Sequence, residues 1–146
     1  MNQVKTDLLV VTTRYLQHAV AADCRGQNPQ WGIDVHFALG QLASAIQQGV
    51  QAAEHSMKIV GELNPDLQHT PVSERHMESS RGQLIKLGEQ VHQLRADIRI
   101  ACAKDDLDIE KIRQRGAEIC ADVEKVRHAD NDFFQKALNT DLGTGE

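Results

Sequence analysis

The sequence predicts an all-α protein: an antiparallel up-down-up-down four-helix bundle with coiled-coil-like heptad packing, its first helix shorter than the other three. Two observations carry this expectation. Leu84, Leu87, Val91, Leu94, Ile98 and Ala101 step by three and four residues, and after Lys104-Asp105-Asp106 the rhythm restarts as Ile109, Ile112, Gly116, Ile119, Val123 and Val126. Such spacing places one apolar stripe on each of two helices, and the short break turns the second back along the first. The second observation is compositional. Aromatic residues make up only 3% of the chain, so the core is built from Leu, Ile, Val and Ala, which suits close helix packing better than a β-sheet surface.

The first helix is expected over about 3–23, with Val4, Leu8, Val11, Tyr15 and His18 or Ala19 facing inward. The cluster Arg25-Gly26-Gln27-Asn28-Pro29-Gln30 breaks it. A second helix follows over about 33–63, lined by Val35, Leu39, Leu42, Ile46, Val50, Ala53, Met57 and Val60. Asn64-Pro65 ends it, because the residue before a proline is driven out of the helical region. Thr70-Pro71 opens the third helix as N-cap and first-turn proline, and this helix reaches about Ala103. Asp105 or Asp106 is expected to cap the fourth, which fades after Leu138. The chain reads as one domain over 1–138 with a flexible tail over 139–146.

The first helix spans roughly 30 Å and the others roughly 45–50 Å at 1.5 Å per residue. One end of the bundle is therefore left with three helices, and something must meet its apolar stripe. A second copy of the chain, in a dimer, or a helix of a partner protein is the expected cover. Val10, Val50, Met57 and Phe134 flank the stripes and are the candidate interface residues, the equal alternative being that they enlarge the core of a monomer. On this expectation, Val50→Glu combined with Phe134→Glu dissociates the oligomer and leaves the helices intact.

Hydrophobic residues at 40% and charged residues at 25% are ordinary for a globular domain. The net charge of −5 argues against nucleic acid, which needs a cationic footprint. The short run Leu8-Leu9-Val10-Val11 falls well below the roughly 20 apolar residues that span a bilayer. Three widely spaced cysteines suggest reduced thiols, and the expected location is the cytoplasm.

Folding the four helices about their turns brings Ser56, Ser80 and Asp130 to one layer, each where the rhythm expects an apolar residue. Glu54, His55, Glu78, Arg81, Glu124 and His128 lie near it. Unpaired buried polar groups cost roughly 1–3 kcal/mol each. The layer is therefore a hydrogen-bonded network, a site for a small ligand or ion, or simply the open end of the bundle. His18, level with Leu39, Ala96 and Gly116, is a further candidate ligand residue beside small side chains.

No catalytic set, cofactor or metal centre is expected. Di-iron carboxylate bundles need two inward Glu-x-x-His elements; Glu89-Gln-Val-His92 is one, set beside its stripe, and no second is present. His55, His92 and His128 map outward, so no inward histidine pair forms. There is no G-x-S-x-G, P-loop or CxxC. His55-Ser-Met-Lys58 resembles the histidine-to-lysine spacing of a histidine phosphotransfer helix, with Ile59 where that helix carries a small residue. A non-enzymatic interaction module, acting as adaptor, scaffold or self-associating bundle, is the leading expectation. A bundle that holds a small ligand or ion in its polar layer is the alternative, and phosphotransfer through His55 comes after both.

Overall fold

The computed structural model describes residues 3–63 and 71–144, and among them the surroundings of side chains 8–58, 75–133 and 135–136. The Asn64-Pro65 turn, the Thr70 cap, and the side chains of Val4, Val60 and Phe134 lie outside the described residues. Four helices and no strand make up the described fold: α1 (Gln3–Ala21), α2 (Asn28–Leu63), α3 (Pro71–Ala103) and α4 (Ile109–Thr144). At 19 residues, α1 is the short member beside helices of 36, 33 and 36. They close a ring in which α1 touches α2 and α4, and α3 touches the same two.

Contacts along α2 and α3 run in opposite chain directions. Gly32 lies against Cys102, Gly40 against Arg95, Ile46 against Gly88, and Glu54 pairs with Arg81. Between α1 and α4 the order reverses in the same way, with Thr13 near Cys120 and Val20 near Gly116. A Cβ on Gly116 would stand 2.9 Å from Val20 Cγ1, so the missing side chain is what lets α1 lie close on α4.

The core is the one the stripes anticipate on three of the helices. Val35, Leu39, Leu42 and Ile46 of α2 are buried, as are Leu84, Leu87, Val91, Leu94 and Ile98 of α3, and Ile112, Ile119, Val123 and Val126 of α4. Helix α1 is rotated from its expected face by about a third of a turn. Thr12, Thr13, Leu16 and Val20 are buried and Leu9 packs against them, whereas Val11 and Tyr15 are exposed. The cause lies in the threonines. Thr12 Oγ1 donates to Leu8 O at 2.8 Å and Thr13 Oγ1 to Leu9 O at 2.6 Å. With its hydroxyl satisfied inside its own helix, each threonine buries its methyl much as valine does.

Two helix boundaries also differ from expectation. Helix α2 begins at Asn28 rather than near Ile33, carrying Pro29 in its first turn, where a missing N–H costs nothing. The extra turn seats Trp31 in the core, with its Nε1 donating to Ala22 O at 3.1 Å. Asp105 does not cap α4. It takes a left-handed conformation (φ 52°) that ends α3, with its own N–H bonded to Cys102 O and the Asp106 N–H to Ala101 O. That is the hydrogen-bond pattern of a Schellman stop, with an aspartate where glycine is usual. Asp108 is the N-cap of α4: its carboxylate accepts from Lys111 N at 3.2 Å. Helix α4 continues past Leu138 to Thr144.

Candidate functional site

Rotation of α1 turns its second apolar stripe outward. Leu8, Val11 and Tyr15 of α1 and Ile33 and Phe37 of α2 are between 38% and 59% exposed. They follow helical spacing on two adjacent helices. Tyr15 and Phe37 meet edge to face across the seam, with ring centroids 6.3 Å apart and planes at 64°. Helix α1 is thus apolar on the face that meets the core and again on the face beside α2. An amphipathic surface helix needs only one such stripe.

Below this face, where α1 begins, lies a groove of about 630 Å³ among all four helices. Leu9, Ala45, Gly49, Ala53, Leu84 and Val126 provide much of its apolar lining, and Ser80 and Asp130 stand at its polar side. The fold therefore brings Ser80 and Asp130 together, with Ser80 Oγ donating to Asp130 Oδ2 at 3.4 Å. Ser56 is exposed on α2 and stands apart from them. The expected single layer is split. Arg81 pairs with Glu54 at 2.9 Å, and Glu124 is held by Arg127 on its own helix.

His76 is the member that sequence reasoning missed. Its Nε2 lies 2.8 Å from Asp130 Oδ1, and its ring stacks on Phe133 at 4.1 Å, nearly parallel. The available signal was His76 and Ser80 at i and i+4, opposite Asp130 and Phe133 at i and i+3. The predicted polar group is a network whose acceptors are engaged: both Asp130 oxygens have a donor or a histidine nitrogen beside them.

The remaining candidates separate. His18 is exposed, because Leu16 and Val20 take the inward positions on α1. His55 and Lys58 stand exposed on α2. Val10 and Met57 are half-buried, and Val50 packs against the core. Among the described residues no group of three or more His, Cys, Asp and Glu is placed to hold a metal ion. Nor is any described helix long and apolar enough to cross a membrane.

Cys24, Cys102 and Cys120 are free thiols. Burial, with Glu124 adding to it, pushes the Cys120 thiol up to about 11, which keeps it protonated and poorly nucleophilic. Asp97 is held below the usual carboxylate range by a 2.7 Å hydrogen bond from Arg115 across the α3–α4 seam. Compared with protein-family models, curated proteins and solved structures, the chain matches none.

Proposed function

We propose that this protein is a non-enzymatic interaction module of the cytoplasm that associates with a second copy of itself through the outer face of α1 and α2. The observation that supports this reading most strongly is the apolar face of Leu8, Val11, Tyr15, Ile33 and Phe37. At their fractional exposures these side chains offer on the order of 500 Å² to water, taking about 150–250 Å² for a whole large side chain. The largest apolar patch on a typical monomer is about 300–600 Å² and is often a functional surface. Two such faces sum to about 1,000 Å². With a polar rim, that approaches the roughly 1,200–2,000 Å² of a stable interface. Free thiols at all three cysteines accord with a reducing compartment.

Native mass spectrometry without added metal or chelator tests the reading. The expected species is twice the 16.2 kDa chain mass. A bare 16.2 kDa species that persists as the protein is concentrated contradicts it. A second reading has one observation in its favour, the groove with Ser80 and Asp130 at its polar side. Its volume falls within the roughly 300–1,000 Å³ of small-molecule sites. Mass retained above that of the chain would support an amphipathic ligand seated there.

A further inference from the structure

A different part of the molecule, the seam between α2 and α3, holds cationic groups that the docking face does not use. His36 and Gly40 stand one turn apart on α2, and Arg95 and Arg99 one turn apart on α3. With no side chain at Gly40, the Arg95 guanidinium lies against the α2 backbone. A Cβ there would sit 3.1 Å from Arg95 Nη2 and 3.3 Å from Cζ.

Arg95 Nε and His36 Nε2 are both shut off from solvent, and neither has a hydrogen-bond partner among the described residues. An arginine Nε–H can only donate. Leaving such a group unmatched costs roughly 1–3 kcal/mol, so native structures nearly always supply an acceptor.

No acceptor comes from the described residues. Neither Arg95 nor Arg99 forms an ion pair among the described residues, whereas Arg81, Arg113, Arg115 and Arg127 each find a carboxylate. The chain is not short of carboxylates, with 21 Asp and Glu against 16 Lys and Arg. The two arginines instead act on His36. Burial first, then Arg95 and Arg99, holds its imidazole below the usual histidine range.

We propose that this seam binds a phosphate dianion, free or as a monoester, between Arg95, Arg99 and His36. The guanidinium fork fits tetrahedral oxyanions, and Arg is favoured where phosphate is recognised. A dianion balances both arginines at once, where a single carboxylate leaves one charge over. Reorientation of Arg95 out of the Gly40 slot toward the anion would match its Nε–H, which has no partner among the described residues.

The test uses the whole protein with inorganic phosphate and, separately, phenyl phosphate, each compared with chloride at matched ionic strength. Thermal unfolding and the imidazole NMR titration of His36 are followed together. The expected result is a rise in melting temperature specific to phosphate, with the His36 titration midpoint moving upward as the anion reverses the local field. Arg95→Gln with Arg99→Gln should weaken binding roughly tenfold or more, while Arg14→Gln should leave it unchanged. An equal response to both ligands supports a site open enough for a phosphate carried on a larger molecule. A response to inorganic phosphate alone supports a closed site for the free anion. Phosphate acting no better than chloride, or binding undiminished in the double variant, overturns the proposal. The His36 titration in the unmodified protein decides the matter even where the double variant does not fold.

Discussion

Tyr15→Glu combined with Phe37→Glu should give a folded, fully helical monomer at concentrations where the parent chain is a dimer. Both side chains are half exposed and meet each other at the centre of the outer α1–α2 face. In the monomer the change costs little, because glutamate is a good helix former and its carboxylate stays in water. In a symmetric dimer each partner brings the same patch, so two substitutions place four carboxylates in one apolar seam. The effective penalty for withdrawing unpaired charge from water is several kcal/mol per ion. Association should therefore weaken by about three orders of magnitude, which is about 4 kcal/mol. Light scattering reads the mass and circular dichroism the helix content. Retained dimer mass in this variant would remove the face from consideration. Val50→Glu is a different experiment from the one its sequence position suggests. Val50 packs against the core, so a charge there should unfold the bundle as well as alter its association.

Leu39→Ala should lower the stability of the bundle by about 2–5 kcal/mol. Leu39 is wholly inaccessible to solvent on the inner face of α2, one turn from Val35 and close in sequence to Leu42. Truncation loses the transfer free energy of the removed carbons and leaves a cavity that four packed helices can only partly close. Against a total stability of about 5–15 kcal/mol for a domain, this is a large fraction. Val11→Ala makes the contrast. It removes carbons from an exposed position on α1, so the monomer should change by less than about 0.5 kcal/mol. Urea denaturation measures both, best in the Tyr15→Glu, Phe37→Glu background, where dimerisation does not add to apparent stability by mass action. Equal losses from the two substitutions would mean that Val11 is a core residue after all.

Three of the four helices were legible because the heptad stripe of each outweighs its other apolar residues, such as the exposed Ile33 and Phe37 of α2. Helix α1 was not. Its apolar residues occupy two faces, and the tie is broken by Thr12 and Thr13, whose hydroxyls bond back to Leu8 and Leu9. A reading that scores threonine as polar selects the stripe of Leu8, Val11 and Tyr15 as the core, which is the stripe the fold leaves outside.

The turn into α4 shows the same kind of ambiguity. Asp105, Asp106 and Asp108 all have the chemistry of an N-cap. Only the positive φ of Asp105, which stops α3, hands the role to Asp108.

At the groove, the closeness of Ser80 and Asp130 follows from the layer map, because both fall on stripe positions. Ser56 drops out because α2 turns it to solvent. His76 was missed because its signal, the spacing of His76 and Ser80 opposite Asp130 and Phe133, shows only once α3 and α4 are brought together. The His36, Arg95 and Arg99 cluster is invisible for a related reason. Its members lie on two helices and are joined through the bare backbone at Gly40.

Photo-crosslinking tests the docking face most directly. Benzoylphenylalanine is placed at position 15, and separately at position 100 on α3, where Ile100 is exposed to a similar degree. Irradiation should yield a covalent dimer from position 15, its crosslinked peptides drawn from α1 and the first turns of α2. Position 100 should yield none. Crosslinks from position 100 but not from position 15, or from neither, would contradict the account.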